Sequence, residues 1–92
     1  MGLFDFFSNS SSSLSDAEIL AKLKPIIADQ LGVDEWEVVP QANIYDDLGC
    51  DELDLVELMI AIQERTRLSF PPTKDKSIRT VGDIIRYIKK YN

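Results

Sequence analysis

Downstream of Leu14, the apolar residues Ile19, Leu20, Leu23, Ile26, Ile27 and Leu31 recur at the three- and four-residue spacing of an amphipathic helix. Ser15 followed by Glu18 has capping-box spacing, so a first helix is predicted over Asp16 to Gln30, with Gly32 as its stop. Pro25 falls inside that run, where its missing N–H predicts a bend or an early end. From Val33 to Asp47 the periodicity is lost, and Pro40, Asn43 and several acids mark a long ordered loop. Trp36, Val38, Val39, Ile44 and Leu48 are its expected anchors, several of them buried. Asp51 then offers an N-cap, and a second helix is expected to run to about Thr66. On its wheel Asp54, Glu57, Ala61 and Glu64 form one acidic stripe. The remaining apolar arc is wider than an ordinary surface helix needs. That width predicts a central helix packed on more than one side, with Leu53, Val56, Ile60 and Ile62 joining Ile84 and Ile88 in the middle of the molecule. Pro71 and Pro72 exclude helix, a brief turn is expected through Asp75, and Thr80 caps a final helix carrying Val81, Ile84, Ile85, Ile88 and Tyr91. The pattern is all-α: three main helices and one short one.

Length adds a domain count. The chain of 92 residues suits one small domain. A polar linker, Ser8 to Ser13, separates MGLFDFF from it, so residues 1–13 are read as a flexible tail and residues 14–92 as the domain. The tail's Leu3, Phe4, Phe6 and Phe7 suit a partner hook better than a membrane contact, because no Lys or Arg accompanies them. One cysteine, Cys50, excludes an intramolecular disulfide, and no secretory leader or membrane-spanning run is expected. A cytoplasmic monomer is the expectation. With no histidine, zinc sites are out of reach; Asp46, Asp47, Asp51 and Asp54 do not fit an EF-hand loop, so no metal site is expected.

Charge narrows the partner. The net charge is −6, but residues 29–64 hold eleven acids and no Lys or Arg, whereas residues 65–92 hold eight basic residues against Asp75 and Asp83. An acidic middle favours a basic protein partner and disfavours nucleic acid. No pairing of nucleophile and base is present, and no glycine loop to cradle phosphate, so an enzyme is not expected.

The run DDLGCDELDLVELMIAIQE, from Asp46 to Glu64, resembles the signature of the acyl carrier protein family. Asp47, Leu48, Gly49, Asp51, Leu53, Asp54, Val56, Glu57 and Leu58 match its pattern. QLGVDEWEV upstream and RTVGDIIRYI downstream resemble two further landmarks, and the similarity spans about Leu14 to Tyr91. The resemblance implies the family's four-helix bundle, with a long loop between the first two helices. It also implies a docking surface for basic residues of acyl-handling enzymes, placed here on Asp47, Asp51, Glu52, Asp54, Glu57 and Glu64.

The chain departs from the family at Gln63, where an acid is often found, and more consequentially at position 52. The resemblance implies a serine, bearing phosphopantetheine, where Glu52 stands. A carboxylate does not form a stable phosphodiester, so no cofactor is expected at Glu52. As an acid in the first helical turn, Glu52 interacts favourably with the helix dipole. Alternatively it supplies a fixed negative charge where the arm's phosphate would sit, or it is a replacement introduced into the sequence. Cys50 is expected to pack passively, because neighbouring acids oppose its thiolate. Two functions follow: a non-carrying adaptor or regulator of an acyl-handling enzyme, or an acyl carrier protein of a fatty-acid or polyketide type pathway whose serine is replaced here.

Overall fold

A computed structural model describes residues 14–73 and 75–92. The tail and linker expected over 1–13 lie outside the described residues.

The described residues form three α-helices, α1 (Asp16–Leu31), α2 (Glu52–Thr66) and α3 (Val81–Lys90), with one 3-10 turn at Glu35–Glu37. Each helix begins with a reciprocal cap. Ser15 and Glu18 close α1, Asp51 and Asp54 close α2, and Thr80 and Asp83 close α3, each pair satisfying two backbone donors that the first turn leaves without partners. Gly32 ends α1 in the left-handed region at φ 70°. Pro25 does not end α1, which continues to Leu31. Its own position is exposed while Leu23, Ile26 and Ile27 on either side are buried. Burial of that stripe outweighs one missing backbone donor.

α1 packs against both other helices and against the 3-10 turn. The core joins Ile19, Leu23, Ile26 and Ile27 of α1, Leu55, Leu58, Met59 and Ile62 of α2, and Val81, Ile84, Ile85 and Ile88 of α3. Phe70 and Ile78 close it from the segment before α3. The brief turn expected through Asp75 falls just after it, at Lys76 and Ser77, with the Ile78 amide donating to the Asp75 carbonyl at 3.0 Å, and no fourth α-helix is formed among the described residues.

Between α1 and α2 the long loop is tied to the start of α3. Asn43 and Thr80 form an isolated antiparallel bridge, Ile44 N–H donates to Arg79 at 2.8 Å, and Val81 N–H donates to Ala42 at 3.1 Å. Gly82 lets Pro40 approach, since a Cβ there would sit 3.1 Å from the Pro40 carbonyl oxygen. Val38, Ile44 and Leu48 anchor the loop as expected, and Val39 is half-buried. Trp36 does not anchor it; the residue is 76% exposed. A 3-10 turn places consecutive side chains on different sides, and Val38, two residues later, takes the inward position.

A second correction concerns α2. Leu53 and Ile60 do not fill the centre: they are 65% and 41% exposed, and Val56 is half-buried, while Ile62, Ile84 and Ile88 are fully buried. The wide apolar arc reflects two faces, one packed on the core and one turned to solvent.

Candidate functional site

The segment before α2 is built by local hydrogen bonds. Asn43 Oδ1 accepts from the amides of Tyr45 and Asp46, both at 2.9 Å, and Asp47 Oδ2 accepts from Asn43 N–H at 2.8 Å. Gly49 turns the chain at φ 74°, and Cys50 N–H donates to Ile44 at 2.8 Å. This arrangement delivers Asp51 to the N-cap of α2 and Glu52 to its first turn.

The acids named from the sequence do different work. Asp51 Oδ1 accepts from Asp54 N–H at 2.8 Å, and Asp54 Oδ2 accepts from Asp51 N–H at 3.2 Å, so both carboxylates are committed to capping α2. Asp47 is committed to the preceding turn. Glu57 and Glu64 are exposed and take no hydrogen bond or ion pair among the described residues. At 100° per residue they share one arc with Leu53, Val56 and Ile60. The exposed side of α2 therefore alternates carboxylates with apolar side chains. Sequence reasoning missed Leu53 and Ile60 here. The signal was the excess width of the apolar arc, which was read as burial.

Glu52 is exposed, and its Oε2 lies 4.0 Å from Lys76 Nζ. Tyr45, Glu52, Lys76 and Arg79 line a shallow depression at this end of α2. The Tyr45 phenol is pushed above its ordinary value by burial first, then by the nearby Cys50 and Glu52, with Arg79 opposing, so it stays protonated at neutral pH. One carboxylate, one phenol and two cations provide no aliphatic hydroxyl. A serine-type phosphodiester to phosphopantetheine needs such a hydroxyl, and at position 52 a carboxylate stands instead.

Cys50 is buried, and its thiol donates to the Asp51 carbonyl at 3.3 Å. Burial, reinforced by Asp54 and Asp51, pushes its pKa up to about 11. The expected cause, neighbouring acids alone, is thus secondary to desolvation. Among the described residues no cluster of three or more His, Cys, Asp or Glu could hold a metal ion, and no helix is long and apolar enough to cross a membrane.

A family model described as "Phosphopantetheine attachment site" matches residues 21–88. A protein named "Acyl carrier protein" from Syntrophobacter fumaroxidans is 47% identical over 74 residues, covering 80% of this chain and 91% of its own length. Another of that name, from Clostridium acetobutylicum, is 41% identical over 73 residues, covering 79% of this chain and 95% of its own. Family model, relatives and three-helix architecture converge, and the chain belongs to the acyl carrier protein family.

Proposed function

We propose that this chain is an acyl carrier protein of a fatty-acid or polyketide type pathway in which glutamate replaces the arm-bearing serine at position 52 of the present sequence. Basic partner surfaces dock on the exposed face of α2, and Glu52 stands where a serine would carry the arm. The observation that carries this reading is the identity to two proteins named "Acyl carrier protein" over about four-fifths of the chain. The face itself supports it: Glu57 and Glu64 are available for steering a basic partner, and Leu53 and Ile60 offer apolar contact once water is displaced. Phosphopantetheine belongs to this reading only with a hydroxyl at position 52.

A second reading rests on Glu52 and its proximity to Lys76. If glutamate is the working residue, the chain is a non-carrying adaptor or regulator that keeps the family's docking face and presents a permanent negative charge in place of the arm's phosphate.

Intact-mass measurement after incubation with coenzyme A and phosphopantetheinyl transferases separates the two. With Glu52 no mass gain is expected. Glu52→Ser should gain one phosphopantetheine if the surrounding surface is that of a carrier. If Glu52→Ser stays unmodified with several transferases, the surrounding surface has diverged as well and the carrier reading fails.

A further inference from the structure

Trp36 is the one tryptophan of the chain, and it sits at the centre of the Glu35–Glu37 turn with its indole exposed. The loop does not need it for anchoring, since Val38, Ile44 and Leu48 are buried in that role. The indole borders a cleft whose other walls are Glu37, Val39, Gln41, Ala42, Asp47 and Leu48. Val39, Ala42 and Leu48 give the cleft an apolar character, and Glu37 and Asp47 add carboxylates. Both carboxylates are held in place: Glu37 Oε2 accepts from Asp34 N–H at 2.8 Å, and Asp47 Oδ2 accepts from Asn43 N–H at 2.8 Å. Glu35 adds an exposed acid next to the indole in sequence. Among the described residues no basic side chain lines the cleft.

An indole face carries negative electrostatic potential, and acids around it deepen that potential. The complementary group is a planar, weakly hydrated cation on an aliphatic stem, which stacks on the ring while its stem covers the apolar wall. Arginine has that shape and charge, and lysine has it less well. Asp47 and Leu48 lead within three residues to the Asp51 cap, so the cleft adjoins the α2 face in the chain.

We infer that the Trp36 cleft is an arginine-anchoring site, through which a basic protein partner grips the loop between α1 and α2 in addition to α2 itself. The partner's identity rests on the docking reading above; the chemistry of the cleft does not. The test is tryptophan emission of the full chain titrated with a blocked Leu-Arg-Leu tripeptide, with norleucine replacing arginine as the neutral control. A saturable change with the arginine peptide and none with the norleucine peptide is expected. Glu35→Gln, whose side chain makes no hydrogen bond or ion pair among the described residues, should weaken the response by about two- to fivefold. Asp47→Asn serves as a second variant. An equal response to both peptides, no response, or indifference to both substitutions would overturn the inference. Glu57→Lys with Glu64→Lys should leave the emission response intact. If that pair abolishes it, the peptide sits on α2, and the cleft proposal falls while the docking reading survives. If emission responds but a transferase binds the charge-reversed pair unchanged, the docking reading falls and the cleft stands.

Discussion

Burial of the Cys50 thiol raises its pKa from 9.0 to about 11, which sets both its reactivity and a pH dependence. At pH 8 the native thiol is protonated, so alkylation should be far slower than in the urea-unfolded chain. Because the folded state holds the proton more tightly, the contribution to stability is complete below pH 9 and declines as pH rises through 11. Urea titrations at pH 8 and pH 10.5 should show that decline, and Cys50→Ala should reduce it. Gly49 makes a second residue-scale case. Its φ is 74° and a Cβ would meet nothing within 4 Å, so the penalty for Gly49→Ala is purely conformational, about 1 to 2 kcal/mol by urea denaturation. Such local conditions were legible in sequence where a side chain bonds its own neighbours: Ser15 with Glu18, Asp51 as a cap and Thr80 as a cap all come from short-range spacing. Arg67 was not. It ends α2 at φ 65°, a region where glycine is favoured, and nothing in its neighbours' types announces it.

At the scale of the element, α2 has one face packed on the core and one turned to solvent, and the two give opposite expectations for substitution. Leu58 is fully buried, and Leu58→Ala should lower stability by about 2 to 5 kcal/mol. Leu53→Ser and Ile60→Ser should move it by about 0.5 kcal/mol or less, because surface changes away from caps and cavities have small effects. The same two variants should weaken partner binding, which separates docking from folding in one comparison of melting and affinity. Relief of the left-handed strain by Arg67→Gly should stabilise α2 by up to about 1 kcal/mol, after the greater freedom of glycine in the unfolded chain is offset. Periodicity located α2 in sequence, but it did not say which half of a wide apolar arc meets the core. That depends on where α1 and α3 lie. Trp36 shows the same limit: an aromatic in a loop reads as an anchor until Val38 is seen to occupy the inward position.

Across the whole molecule, the acidic middle and basic end of the sequence meet in three dimensions. Arg65 pairs with Asp29 at 3.4 Å, Lys89 with Asp16 at 2.8 Å and Lys76 approaches Glu52 at 4.0 Å, so cations from the last third reach acids on α1 and α2. These pairs are exposed and each contributes at most about 1 kcal/mol. Glu57 and Glu64 take no part in them, which leaves their charge available to a partner. The charge segregation was plain from the sequence, whereas the commitment of Asp47, Asp51 and Asp54 to turns and caps required the folded geometry. The most direct test of docking through α2 is the association rate of the chain with a phosphopantetheinyl transferase. It is measured for the unaltered protein and for Glu57→Lys with Glu64→Lys, in low and high salt. Raising salt from about 0.1 M to about 1 M shortens the screening length from about 10 Å to about 3 Å, so association of the unaltered chain should slow markedly. The charge-reversed pair should already be slow at low salt while melting normally. An association rate indifferent to both the reversal and the salt would contradict docking through the acidic face of α2.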